Sequence, residues 1–457
     1  MSLVDQLRKL LGSNVVADDP ATLEEHSGDK WFAHARPEVV VFAESTQQVS
    51  SLLQFACREK VAVTARGAGY GYVGSCVPVT GGITLSLARM NRIRDVSFDD
   101  AVAVVEPGVI TGDLKRAAQE KKMFYPPDPA SFEHCTIGGN VATNAGGPRC
   151  LKYGVTRNYV VGLEVVLANG DVLRTGGRVH KNKTGFDLIG LFVGSEGMLG
   201  IVTEIIVKLL PLPPARATIS ASFNTMSETA ATVQSIFAAG FLPSSVEIAD
   251  HFTLEAARHD SGASHVPAGN AHLLVDLDGQ EETVRTEVSK LRDLVASRSP
   301  TGIEVATNEA DCERLWALRR QFSNSLRATG LTKLNEDIVV PRSRLVDLME
   351  FAEQLSERWG FPVACFGHAG DGNIHINIMA DRYNRDPAVR EKVQSALDEL
   401  FAQVLAWGGV ITGEHGIGLA KKRWWPDATS PVSRALHHTI KHALDPKDIL
   451  NPGKFVD

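Results

Sequence analysis

Between residues 61 and 88 the chain reads as a strand, VAVTAR, a glycine-rich run, RGAGYGYVGS, the linker CVPVTGG, and a second strand, ITLSLA. Gly69, Gly71 and Gly74 have the GxGxxG spacing of a dinucleotide-binding turn, but such a turn has to open a helix whose N-terminus faces the pyrophosphate. Here Pro78 and the Gly81–Gly82 pair lead into another strand. That order rules against a Rossmann arrangement and disfavours NAD. What the run keeps is a stretch of backbone N–H groups that can approach phosphate oxygens closely, because glycine lacks a Cβ and tolerates positive φ.

Two domains are expected, since 457 residues exceed what one hydrophobic core usually supports. With 44% hydrophobic and 22% charged residues and no low-complexity tract, the composition is that of a folded globular chain. The 47 Lys plus Arg against 54 Asp plus Glu give a net charge of −7, which argues against a nucleic-acid partner. No run of eighteen apolar residues exists, so a helical membrane span is excluded, while peripheral docking is not. The opening MSLVDQLRKLLG lacks the apolar stretch of a signal peptide, and a cytoplasmic protein is expected, with docking at the inner face of the membrane left open. Cysteines 57, 76, 135, 150, 312 and 365 form no CxxC pair, so covalent haem, an iron–sulfur cluster and a disulfide framework find no support. Electrons from any redox reaction then have to leave through a partner.

Strands are expected at 38–43, 61–66, 83–88 and 101–108, with helices over 47–60 and 111–122. VVGLEVVLANGDVL at 160–173 contains an Asn-Gly turn signal at 169–170, and GIVTEIIVKLLPLPP at 200–214 ends in prolines that mark a domain boundary. Beyond it, strands alternate with helices in the order of an antiparallel sheet with helices on one face.

A second glycine-rich stretch, PPDPASFEHCTIGGNVATNAGGPRCLKYG over 126–154, offers flat backbone and neutral hydrogen-bonding groups. It reads as a long irregular loop, a kind that is commonly functional. Further on, FGHAGDGNIHINIM (366–379) places His375 and Asn377 on one face of a strand whose isoleucines face the other way. The Gly370-Asp371-Gly372-Asn373 turn lets His368 converge with His375. TGEHGIG (412–418) adds an adjacent Glu414 and His415 between glycines, which in extended backbone would point apart. Two imidazoles and a carboxylate suit a borderline divalent ion such as zinc or manganese with positions left open.

Taken together, RGAGYGYVGS, PPDPAS, TIGGNVATNAGGPRCLKYG and KTGFDLIGLFVGSEGMLGIVTEIIVKLLPLPP closely resemble the FAD-linked D-2-hydroxyacid dehydrogenases. That group includes D-lactate dehydrogenases and the glycolate oxidase FAD subunit, within the vanillyl-alcohol oxidase flavoproteins. The resemblance implies an α+β fold with a two-subdomain FAD-binding domain of the vanillyl-alcohol oxidase and p-cresol methylhydroxylase type at 1–214. An antiparallel-sheet α+β cap domain at 215–410 would carry the histidine ligands, and a C-terminal segment, 411–457, would return to the FAD domain.

By the same resemblance Arg66, Gly67, Ala68, Gly69, Tyr70 and Gly71 clasp the pyrophosphate of FAD. Pro127, Asp128, Thr136, Gly138, Gly139, Asn140, Thr143, Gly200, Ile201, Val202 and Asn451 line the cofactor, and Lys454 reaches it from the C-terminal segment. Residues 66–75 contain no histidine, so the FAD is expected to be non-covalent. Tyr70 stands where many relatives have Thr, and Phe186 departs from a GYDL-like motif. The family pattern makes His368, His375 and Glu414 the metal ligands and His415 the base, and Asn377, on the face of His375, is a further catalytic candidate. Arg319, three residues after Trp316, is the candidate for the substrate carboxylate, and Arg320 is its alternate. Relatives acting on longer diacids place a lysine near Asn335, whereas here the nearest is Lys333.

The implied reaction oxidises a small D-2-hydroxy acid to the 2-oxo acid, with hydride to flavin N5 and the proton to His415. The electrons pass to an external acceptor: a quinone, an electron-transfer flavoprotein, a cytochrome or an iron–sulfur subunit. A homodimer is compatible with the sequence. Competing readings are a metal hydrolase using the same ligands without flavin, a non-catalytic companion subunit, and a flavin oxidase that uses oxygen.

Overall fold

Residues 1–261 and 266–456 are described by the computed structural model. The chain divides into two units, the first made of Met1–Gly146, Val155–Leu212 and Glu414–Asp457, the second of Gly147–Gly154 and Pro213–Gly413.

In the first unit, the short apolar runs of the N-terminal region become β1 (Val16–Ala17), β2 (Val39–Phe42), β3 (Val63–Arg66) and β4 (Ile83–Ser86). They form a sheet in the order β1-β2-β4-β3, with β2 and β3 both parallel to β4. Parallel strands are buried on both faces, which is why β2 is continuously apolar, while β3 and β4 carry only small polar Thr64, Thr84 and Ser86 among their buried positions besides Arg66. The helix Thr46–Glu59 caps on Ser45 and turns Val49, Leu52, Leu53 and Ala56 into that core. The second sheet is antiparallel, built from β5 (Ile93–Ser97), β6 (Val102–Val105), β8 (Val160–Val166), β9 (Val172–Gly176) and β10 (Ile201–Lys208) in the order β5-β6-β10-β8-β9. The 160–173 run is thus a hairpin, reversed at Gly170, whose φ of +87° and contact with Ser50 leave no room for a Cβ. A two-stranded ribbon pairs β7 (Met123–Phe124) with β11 (Leu210–Pro211).

The 126–154 stretch departs from the expected long loop. Ile137–Thr143 is a helix, with Thr136 as N-cap accepting from the Gly139 N–H at 3.2 Å. Gly147–Gly154 falls outside the first unit, although it lies inside the expected 1–214 span. The reason is local: Lys152 Nζ donates to Asp278 at 2.6 Å and the Tyr153 hydroxyl donates to the same carboxylate at 2.9 Å. At the other boundary, residues 411–413 belong to the second unit rather than to the C-terminal segment in which they were expected.

The second unit is built on one seven-stranded antiparallel sheet: β12 (Ala215–Phe223), β13 (Ser245–Ala249), β14 (Ala271–Gly279), β15 (Gly302–Ala306), β16 (Thr332–Val339), β17 (Val363–His368) and β18 (Asn373–Ala380). Its order is β15-β12-β14-β13-β17-β18-β16. β18 is buried at every position, so both of its faces are covered. Over the face that carries Phe366 and Met379, the helices His251–Ser261 and Glu309–Ala328 contribute Leu254, Ala257, Leu318, Phe322 and Leu326 to one core. No helix of the described residues is long and apolar enough to cross a membrane.

Candidate active site

The β17–β18 hairpin sets the two histidines. Pairing His368 with Asn373 and Phe366 with His375 puts all four residues on one face of the sheet. The turn between the strands needs Gly372 at a φ of +84°, where a Cβ would sit 2.1 Å from the Val340 carbonyl. The imidazoles of His368 and His375 lie with ring centroids 5.5 Å apart and nearly perpendicular.

Glu247, opposite His368 on β13, fixes one of them. Its carboxylate accepts from His368 Nδ1 at 2.7 Å and from Arg319 Nε at 2.6 Å. Burial pushes the Glu247 carboxyl up, but its two partners, His368 and Arg319, outweigh it and hold it down at about 2. An anionic Glu247 makes Nδ1 the protonated nitrogen and leaves the Nε2 lone pair of His368 for a ligand bond, the usual arrangement behind a metal-bound histidine.

Asp337 on β16 brings the third candidate close. Its Oδ1 accepts from Asn373 Nδ2 at 2.6 Å, and its Oδ2 accepts from the Gly413 N–H at 2.9 Å and the Thr412 hydroxyl at 3.0 Å. Glu414 is the next residue in the chain, so its place follows from the anchoring of Gly413. His368, His375 and Glu414 each offer a ligand atom, and these atoms lie within 4.8 Å of one another. A histidine pair backed by a carboxylate, with an acidic third donor, fits zinc or manganese. Residues 413–415 are bent rather than extended, between Thr412 and Gly413, which are tied to Asp337, and Gly416, which takes a φ of +86°.

Arg319 is buried, and its Nε is engaged by Glu247 while the guanidinium lies 4.9 Å from the Phe366 ring centroid. Phe366 in turn sits 5.4 Å from the His375 ring. Arg320 is exposed and paired with Glu313 at 2.7 Å, which separates the two candidate arginines by environment. Asn377 is fully buried, donates Nδ2 to the Ala364 carbonyl at 2.9 Å, and has no donor to its Oδ1 among the described residues. Lys333, two residues before Asn335 on the same strand face, donates to the Ser323 hydroxyl at 2.8 Å. Burial, with Arg327 and Arg319 adding to it, depresses its ammonium to about 7.

In the first unit, β3 delivers Arg66 to the start of the glycine run. Its guanidinium donates to the Gly28 carbonyl at 2.6 Å and the Glu25 carbonyl at 3.2 Å, so Arg66 shapes the loop from behind. Gly67 through Tyr72 are half-buried, leaving their backbone approachable. Gly67 and Gly138 are required by close packing: a Cβ on Gly67 would lie 2.4 Å from Thr136 Oγ1, and one on Gly138 2.5 Å from Pro107 Cβ. The Asn140 amide donates to Thr111 Oγ1 at 2.7 Å and the Thr143 hydroxyl to the Gly139 carbonyl at 3.2 Å. Pro127 lends its carbonyl to Lys115 Nζ at 3.3 Å, and Asp128 beside it is half-buried. Gly200 packs against Val165, and Ile201 belongs to the core. Val202 is its half-buried neighbour on β10. Tyr70 stacks on His134 at 5.0 Å, and Lys30 Nζ lies 4.5 Å from the centroid of the same tyrosine ring. The amide of Asn451 donates to the carbonyls of Ser75 and Glu196 at 2.9 and 2.7 Å. Lys454, expected at the flavin, donates to the Val77 carbonyl at 2.7 Å.

Sequence reasoning did not single out Glu247, Asp337 or Glu196. Glu196 lies in GSEGMLG between Gly194 and Gly197, both at positive φ, and is itself at +50°. A lone acid within a glycine run, GSEG, was the available signal in the sequence.

Residues 37–176 match the family described as FAD binding domain, and residues 212–455 match FAD linked oxidases, C-terminal domain. The chain therefore belongs to the FAD-linked oxidases and is an FAD-dependent oxidoreductase. It is 39% identical over 419 residues to the glycolate oxidase subunit GlcD of Bacillus subtilis, a match that covers 92% of this chain and 89% of that protein. It is 32% identical over 462 residues to a D-lactate dehydrogenase of Anaerostipes hadrus, covering 99% and 97%. p-Cresol methylhydroxylase superposes with a TM-score of 0.82 at 21% identity, over 99% of this chain and 96% of that one, and shows the fold.

Proposed function

We propose that the chain oxidises a small D-2-hydroxy acid, of the D-lactate or glycolate kind, to the 2-oxo acid, using non-covalent FAD and a divalent ion of the zinc or manganese type. The observation that carries this reading is the His368–His375 pair, backed by Glu247 and joined by Glu414. The names of the relatives supply the substrate class. When bound, FAD supplies the hydride acceptor and the ion supplies a Lewis acid for the substrate oxygens.

The chain's own residues do the rest. His368 Nε2, His375 and Glu414 would hold the ion. Arg319, with its Nε committed to Glu247, would turn its terminal amino groups to the substrate carboxylate and set its orientation. His415, next to Glu414 and 5.2 Å ring to ring from Tyr72, would take the hydroxyl proton. The electrons would leave to an external acceptor.

Anaerobic bleaching of the flavin bands against a panel of D- and L-2-hydroxy acids tests the reading. We expect bleaching by a D-acid or by glycolate, and release of the flavin from the chain on acid precipitation. A protein without flavin absorbance, or flavin that no 2-hydroxy acid reduces, would overturn it.

A further inference from the structure

One buried carboxylate in the first unit has no assigned role. Glu196 is 5% exposed, and its side chain accepts three hydrogen bonds: from the Ser75 hydroxyl at 2.6 Å, the Ile417 N–H at 2.8 Å and the Gly418 N–H at 3.0 Å. Ser75 ends the glycine run, while Ile417 and Gly418 directly follow His415 and Gly416. The residue's backbone is held as firmly. Its N–H donates to the Ala142 carbonyl at 2.8 Å, and its carbonyl accepts from Asn451 Nδ2 at 2.7 Å.

The loop that carries His415 is wrapped directly on this carboxylate. Gly416 and Gly418 both take positive φ, and a Cβ on Gly416 would sit 2.6 Å from Glu196 Oε1. Two adjacent N–H groups aimed at one carboxylate restrict the loop more than either bond alone, and charge-assisted bonds of this kind are about twice as strong as neutral ones. Burial works against the anion and raises the Glu196 carboxyl, but the three donors and the nearby Lys454 favour the charged form.

We propose that Glu196 is a positioning residue for proton transfer: it grips the 417–418 backbone so that His415 is held in place, and through Ser75 it ties that placement to the glycine run that would carry the FAD pyrophosphate. This rests on the reading of His415 as the base. Glu196 touches neither substrate nor flavin in this role and acts only through the loop it holds.

A double-mutant cycle on the FAD-loaded enzyme tests it, read by anaerobic stopped-flow flavin reduction with the best 2-hydroxy acid. Glu196→Gln keeps the shape but weakens the grip, and is expected to slow the limiting rate of reduction by about thirtyfold, with the half-saturating substrate concentration within about threefold and the flavin spectrum and FAD content near wild type. Glu196→Asp should recover part of the loss, and Ser75→Ala should lose less than Glu196→Gln. In a His415→Ala background, Glu196→Gln should add less than about twofold, because the group it positions is gone. Independent, multiplicative losses in the double variant would overturn the proposal, as would wild-type reduction in Glu196→Gln. Wild-type reduction in His415→Ala is a different result: it removes the base assignment itself, and the positioning role with it. If Glu196→Gln fails to hold FAD, Ser75→Ala in the two backgrounds completes the same cycle and decides by the same criterion.

Discussion

His368 Nδ1 and Glu247 Oε1 are 2.7 Å apart, joining residues that stand 121 positions apart in sequence. Because Glu247 also accepts from Arg319, one carboxylate sets the tautomer of a proposed metal ligand and neutralises the arginine assigned to the substrate. Replacing it with Gln leaves the shape but removes the charge. Glu247→Gln should weaken metal binding about 10–100-fold, the usual cost of losing a partner behind a histidine ligand. Competition with a chromophoric chelator measures this; unchanged metal affinity would separate Glu247 from the metal.

Metal removal should abolish turnover and leave FAD bound, since the glycine run and the histidine hairpin are separate segments. His368→Ala and His375→Ala should behave as the chelated protein does. Glu414→Ala should lose metal, and His415→Ala should keep it while slowing flavin reduction at least about a hundredfold. Elemental analysis with flavin absorbance and reduction rates reads all four; full activity after exhaustive chelation would end the metal assignment.

The two arginines give a paired comparison. Arg319 is buried against Phe366 and Glu247, so Arg319→Met should raise KM or lower kcat/KM by roughly 30–1000-fold, the scale of losing a buried charged hydrogen-bonding partner. Arg320→Met removes an exposed pair with Glu313 and should change kcat/KM by less than about twofold. Equal effects of the two substitutions would withdraw Arg319 from the substrate.

A pH effect on stability follows from His272. It is buried, with Nε2 2.8 Å from the Ser220 hydroxyl, and burial together with the Arg319 charge lowers it to about 4. The unfolded chain takes up this proton near pH 6.5, whereas the folded chain resists until about pH 4. Stability is therefore unaffected above pH 6.5 and falls between 6.5 and about 4, by up to about 1.4 kcal/mol per pH unit. His272→Gln, which can keep a bond to Ser220, should lack this component. Melting curves of both proteins from neutral pH down toward the folded-state value should diverge as pH falls; parallel curves would show that His272 titrates normally.

Close packing at Gly138 gives the last prediction. Gly138→Ala would push a methyl into Pro107 Cβ at 2.5 Å and its carbonyl at 2.8 Å. The helix start at Ile137 has to shift to admit it, so the protein should lose about 1–3 kcal/mol and retain less FAD. Full flavin content in a stably folded Gly138→Ala would show that this helix is not part of the cofactor cradle.

How far the site could be read in the sequence depended on how its residues signal. His368, His375 and the Glu414–His415 pair were legible because each sits in a short run whose residue types are unusual together. Their supports were not. Glu247 lies in SSVEIAD, where one acid in an apolar strand says nothing about a partner on β17, and Glu196 meets Ile417 across 221 positions. The strand β2 was legible from a continuous apolar run, and β3 and β4 from short β-branched runs bounded by glycines or loops. The helix Ile137–Thr143 was not, because two glycines depress helix propensity and the cap at Thr136 and the packing on Pro107 decide the outcome. Gly147–Gly154 likewise follows the side chains of Lys152 and Tyr153, not any break in composition.

The bridge between Val63 and Leu450 has a consequence for synthesis of the chain. β3 lies at the edge of its sheet, and the strand-like partner for that edge is made only near the C-terminus, together with Asn451, which closes on Ser75 and Glu196. On the ribosome the first unit therefore waits, its glycine run unsupported and its β3 edge open, until the whole second unit has emerged. The second unit has all of its strands by Ala380 and can form while that wait continues.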